Sequence, residues 1–152
     1  MFTVKESAGA VLRRCTTTII EGWLARAKQI GESSLLLLSD AERTMHLPTL
    51  VDDLVFRLKA SPTVKALPSA SAVHHGEVRY LQGYTPPMLV DESRILQVTL
   101  FETLHTNLNA VDFRLLLPGV VTIADEVDSQ LSQAVDSYMK VMNLNAAAGV
   151  LF

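Results

Sequence analysis

Histidine, arginine and a carboxylate can move protons, hold a metal or grip a charged ligand, and in this chain they gather in one place. The segment His74-His75-Gly76-Glu77-Val78-Arg79-Tyr80-Leu81-Gln82-Gly83-Tyr84 runs without slack into Thr85-Pro86-Pro87, and Glu92 follows. On a helix, His75 and Arg79 stand one above the other at i and i+4. A turn at Gly83-Tyr84-Thr85 returns the chain as an antiparallel helix and carries Glu92 back toward them. Such a cluster, fully hydrogen-bonded, would fix how two helices pack. The same geometry serves either a ligand-sensing site or a plain interhelical lock. Gly76 lies mid-helix, where glycine costs about 1 kcal/mol against alanine. It therefore points to the close approach of another backbone or a ligand.

Other chemistries fit less well. A phosphotransfer histidine needs exposure and a small or basic residue just after it to hold the phosphoryl group. His75 is followed by Gly76, Glu77 and Val78, and Glu77 repels phosphate. An axial haem histidine needs a deep apolar pocket, and none of His46, His74, His75 and His105 sits mid-stripe in a strongly apolar helix. No helical histidine pair or Glu-x-x-His repeat announces a metal centre. Gly-rich phosphate loops, Gly-x-Ser-x-Gly and HExxH are all missing. No catalytic residue, metal or cofactor is therefore expected.

The elements that position the cluster read as helices. Val11, Cys15, Ile19, Trp23, Ala27 and Ile30 recur at spacings of three or four, predicting a first helix from about Glu6 to Ile30 closed by Gly31. Ser39-Asp40-Ala41-Glu42 is a capping box. It opens a short helix that gives way to a second at Pro48, whose apolar stripe (Leu50, Val51, Leu54, Val55, Leu58) ends before Ser61-Pro62. A helix over 69–82 is closed by Gly83. Thr85 caps the next, which runs to about Asn109 with Leu89, Leu96, Leu100 and Leu104 on one side. Pro118-Gly119 is expected to break the pattern before a last helix over 120–142. There Ile123, Val127, Leu131, Ala134 and Tyr138 share a face opposite Asp125, Asp128, Ser132 and Asp136. No segment alternates with period two. The fold class is all-α, a bundle of about five to six helices in a single domain over 1–152.

Composition agrees: 49% hydrophobic, 6% aromatic, 19% charged, net charge -3. Arg13-Arg14 is too short a basic cluster for nucleic acid. One cysteine, Cys15, excludes an internal disulfide framework and fits a reducing compartment; its expected role is a small apolar residue on a buried helix face. The longest apolar run, Leu35–Leu38, is far from the roughly 20 residues that span a bilayer. With no visible signal peptide, a cytoplasmic location without membrane contact is expected.

The run His75-Gly76-x-x-Arg79-x-x-x-Gly83, with Glu92 beyond it, the Trp23 region, Leu47-Pro48-x-Leu50 and a closing amphipathic helix near Tyr138, resembles the RsbRD-type N-terminal domain. That family supplies the input modules of RsbT co-antagonists in bacterial stress signalling and of some sensor histidine kinases. The resemblance implies a non-enzymatic sensory and dimerisation domain with a globin-like fold lacking haem. It also implies a homodimer, an attached or partner output domain not contained in these residues, and an unidentified small ligand. His75, Gly76, Arg79, Gly83 and Glu92 would be its sensing residues. Ser93 departs from the family, where a hydrophobic residue precedes the arginine. A histidine phosphotransfer domain and a haem-binding globin-like sensor are the competing functions.

Overall fold

The computed structural model describes residues 4–30, 35–60 and 65–149. Among them the chain forms seven α-helices and no strand: α1 (Ala8–Arg14), α2 (Thr16–Ala27), α3 (Asp40–Thr44), α4 (Leu47–Lys59), α5 (Ala70–Leu81), α6 (Pro86–Thr106) and α7 (Phe113–Ala147). The all-α bundle is as expected, and most boundaries follow from local chemistry. Ser39 accepts from the Glu42 amide while Glu42 reaches back to the Ser39 amide, the reciprocal capping box. Pro48 lies in the first turn of α4, where its missing amide hydrogen costs nothing. Ser69 caps α5 by accepting from Ala72. Gly83 follows the α5 C-cap with φ +89°, a left-handed conformation that lets the chain turn into Thr85 and α6.

Three expectations need correction. The first helix is not continuous: it bends at Cys15 and ends at Ala27, leaving Ile30 exposed. Thr16 bonds back to the Leu12 and Arg13 carbonyls, a competition of side chain with backbone that bends helices. Cys15 is half-buried at the bend, packed against the edge of the main core, with its sulfur also near Arg14 and Asn107. Helix α6 stops at Thr106, where Asn107 turns its side-chain amide onto the Thr103 carbonyl. Pro118-Gly119 does not break the chain, because α7 runs through it for 35 residues, about 52 Å. Pro118 lies less than two turns past the Asp112 cap and forfeits one early hydrogen bond. Gly119 beside it packs on α1, where an added Cβ would meet Ala8 Cβ at 3.3 Å. The Gly31 cap and the Ser61-Pro62 stop lie outside the described residues.

The main core joins α1, α2, α4, α6 and α7 around Leu12, Ile19, Trp23, Leu54, Leu100 and Ile123. A second cluster of Tyr84, Met88, Leu89 and Tyr138 seals the α5–α6 turn against α7, with the Tyr138 hydroxyl donating to the Tyr84 carbonyl at 2.7 Å. The N-terminal segment is pinned by Glu6, whose amide donates to the Ala110 carbonyl at 2.7 Å and whose carbonyl accepts from Asp112 at 2.9 Å. Leu100 has no exposed surface. Leu100→Ala is therefore expected to cost roughly 2–5 kcal/mol in chemical denaturation; a loss under about half a kilocalorie would contradict the core assignment. No helix among the described residues is long and apolar enough to cross a membrane.

Candidate functional site

Helix periodicity places His75, Gly76 and Arg79 on the buried face of α5, and Glu92 on the buried face of the second turn of α6. The three ionisable groups meet as the sequence predicts. Arg79 Nε donates to Glu92 Oε2 at 3.3 Å, while Nη2 lies 2.8 Å from Oε1 as an ion pair without hydrogen-bond alignment, leaving Oε1 buried with no hydrogen-bond partner among the described residues. His75 Nε2 is 3.1 Å from the same Oε2. An ionised carboxylate only accepts, so this imidazole carries its proton on Nε2.

What the sequence left out is the third side of the site. Arg79 also donates from Nη1 to the Glu42 carbonyl at 3.1 Å and to Gln82 Oε1 at 2.7 Å, and from Nη2 to the Arg43 carbonyl at 2.6 Å. Glu42 and Arg43 belong to the last turn of α3, where carbonyls lack helical partners and the helix dipole favours a cation. One guanidinium thus caps α3, anchors α5 and pairs with α6. Its five N–H groups are all committed. Below it, Tyr84 presents its ring at 4.4 Å, a cation–π contact. Burial, followed by the nearby negative charge of Glu92, pushes the Tyr84 hydroxyl up to about 12.

His46, between α3 and α4, completes the site. Its ring stacks on His75 with centroids 3.7 Å apart and 15° between planes, and Trp23 meets it edge-on at 5.5 Å. The Trp23 indole N–H donates to the Glu92 carbonyl at 3.2 Å. His46 Nδ1 faces Arg79 Nη2 at a long 3.5 Å, which requires Nδ1 to be the acceptor and puts the proton on Nε2. No local spacing could have linked His46 to His75, because only the approach of the α3–α4 junction to α5 brings them together.

Both imidazoles are held neutral. Burial drives the His46 pKa well below the usual histidine range, and charge on His75 and Arg79 adds to it. Burial likewise lowers His75, against the upward pull of Glu92. An unfolded chain takes up protons near pH 6.5 that the folded one refuses, so this part of the stability is present above that pH and lost as pH falls below it. In melts from about pH 7.5 to 5.5, wild type is expected to lose stability relative to His46→Gln, whose site has one histidine fewer to charge. Parallel curves would show that His46 does not titrate differently on folding.

The donor atoms of His46, His75 and Glu92 lie within 4.8 Å of one another, the cluster among the described residues that could hold an ion. Two features oppose it. Stacked imidazoles direct their lone pairs side by side in parallel planes, whereas a tetrahedral ion needs them to converge. The Arg79 guanidinium also contacts two of the three residues. A groove of about 330 Å³, with Thr49, Ser71 and His74 on its walls, reaches His46, His75 and Arg79 from outside. Behind the imidazoles, toward Trp23, Leu89 and Gln130, a cavity of about 30 Å³ has room for a water, not a macrocycle.

Gly76 and Gly83 have separate duties. Gly83 permits the turn. Gly76 lets α5 lie directly on α7: a Cβ there would collide with the Ala134 carbonyl oxygen and Ser137 Oγ and approach the carbonyl carbon to 2.7 Å. The principal partner of α5 is in fact α7, not α6. Helices α5 and α6 are tied by the long Arg79, His75 and Glu92 side chains across their separation. The His75 ring is buried and committed to Glu92, an unfavourable setting for accepting a phosphoryl group from a partner protein. Compared with protein-family models, curated proteins and solved structures, the chain matches none.

Proposed function

We propose that this chain is a non-enzymatic sensory input and dimerisation domain of a bacterial signal-transduction protein, of the stress co-antagonist or sensor histidine kinase type. The observation that carries the reading is the Arg79 clasp. A single buried cation joins α3, α5 and α6, and an open groove reaches it alongside two neutral imidazoles. A stimulus acting through that groove can alter three helices at once. Any ligand would act by its differential affinity for two arrangements of them.

The long helix supports the second half of the reading. Helix α7 packs on both α5 and α6, so it receives any change in their relation. Its end, from Asn143 onward, stands exposed beyond the core, suited to passing a displacement to an output domain. At its other end Phe113, Leu117 and Val121, at helical i, i+4, i+8 spacing, are exposed and apolar, a stripe that a second copy could cover. A cytoplasmic setting fits this role.

Sedimentation velocity at micromolar concentration is expected to show a dimer, reduced to monomer by Leu117→Glu. A wild-type monomer at all concentrations up to about 100 µM, weaker than an ordinary specific dimer, would sink the dimerisation reading. For the sensory half, Arg79→Lys should loosen amide exchange together in α3, α5 and α6, since an ammonium cannot reproduce the planar fork. Exchange confined to α5 would mean that the clasp couples nothing.

A further inference from the structure

Charge is buried at a second place, between α4 and α7. Glu126 sits on the apolar stripe of α7 between Ile123 and Val127 and is 4% exposed. Its Oε2, together with Nε and Nη1 of Arg57 on α4, is buried without a hydrogen-bond partner among the described residues. Oε2 and Nη1 face each other at 4.0 Å, too far to bond. Arg57 instead gives Nη2 to Asp125, an exposed carboxylate next along α7.

That choice of partner is informative. Attraction between opposite charges grows as water is excluded, so an ionised Glu126 should hold Arg57 more firmly than exposed Asp125 does. The observed pairing is the one expected when Glu126 carries a proton. Burial, with Asp53 and Asp125 adding to it and Arg57 opposing, pushes its pKa up to about 7. There is also room to move. A cavity of about 170 Å³ touches both Arg57 and Glu126, and another of about 110 Å³ lies on the Gly9 and Pro118 side of Arg57.

We propose that Arg57 and Glu126 form a proton-operated latch between α4 and α7. Loss of the Glu126 proton to solvent through the larger cavity draws the guanidinium off Asp125 and onto the buried carboxylate; the proton's return releases it. The charged groups that bear on Glu126 are Asp53 and Arg57 on α4, Asp125 on α7 and Lys65 at the cavity wall. Ser69, the α5 cap, donates to Asp53 at 2.6 Å. Helix α1 brings only Ala8 and Gly9 to the far side of Arg57, with the uncharged cap Ser7, and α6 contributes no described residue to either cavity. The latch needs only the proton as its ligand and stands independently of the signalling role.

Carbon-detected NMR of the Glu126 carboxyl and nitrogen NMR of the Arg57 guanidinium, over roughly pH 5 to 9 on the whole chain, test it. Both signals are expected to move together with a midpoint near the pH 7 region given by burial. Asp125→Asn removes the competing acceptor at an exposed position, and the Glu126 midpoint should then fall by about one unit, a tenfold gain in acidity. In Glu126→Gln the Arg57 signals should cease to titrate in this range. A wild-type Glu126 midpoint below about 5, near the free value, overturns the latch. So does an Arg57 signal that ignores it, or an Asp125→Asn midpoint left in place. Should Glu126→Gln fail to fold, the Asp125→Asn titration decides.

Discussion

Gly76→Ala is expected to destabilise the fold by at least about 3 kcal/mol in chemical denaturation, at the upper end of overpacking costs. Local propensity predicts the opposite sign, since alanine in a helix interior is favoured over glycine by about 1 kcal/mol. Packing wins because the new methyl would meet backbone, not a flexible side chain: the Ala134 carbonyl, together with Ser137 Oγ, already fills the space. Ser137 cannot swing away freely, because its hydroxyl donates to the Val73 carbonyl at 2.7 Å. Relief therefore requires α7 to retreat from α5 along their main contact. Gly22→Ala is the internal control. Its Cβ would lie 3.4 Å from Thr99 Cγ2, ordinary contact, so the propensity gain should show and stability should hold or rise. If both variants are stabilised alike, the α5–α7 approach is looser than described.

Arg79→Met should be comparably severe, about 3–5 kcal/mol, because it strands a buried carboxylate without its cation. It also leaves the Glu42 and Arg43 carbonyls at the end of α3 without the donor they share. For a chain of this length that corresponds to a melting temperature lower by roughly 10–15 °C. Glu92→Met alone should cost a similar amount by stranding Arg79. The double variant should be markedly less unstable than the sum, since no unpaired charge remains, with a coupling of roughly 1–3 kcal/mol. His75→Ala combined with Arg79→Ala should also be non-additive through the shared Glu92 oxygen. Additive effects would dissolve the cluster into unrelated contacts.

Features whose causes lie within a few residues are legible in the chain before it packs. The Ser39 capping box, Pro48 in a first turn, the left-handed Gly83 and the helical stripes all depend on short-range bonding and on the 3.6-residue repeat. So did the meeting of His75, Arg79 and Glu92, since one helix and one tight turn suffice to bring them together. Gly76 announced a close approach, because mid-helix glycine has a cost that needs an offset.

Packing settled what Gly76 touches, which is α7 and not α6. It recruited His46 and the α3 carbonyls to Arg79 from more than 30 residues away in the chain. It also kept α7 helical through Pro118, where burial along the rest of the helix outweighs one lost hydrogen bond. It put Glu126, too, within reach of Arg57, which crosses from α4. Short-range chemistry sets the shape of each element; which distant groups then share the water-poor space between elements is settled only when they pack.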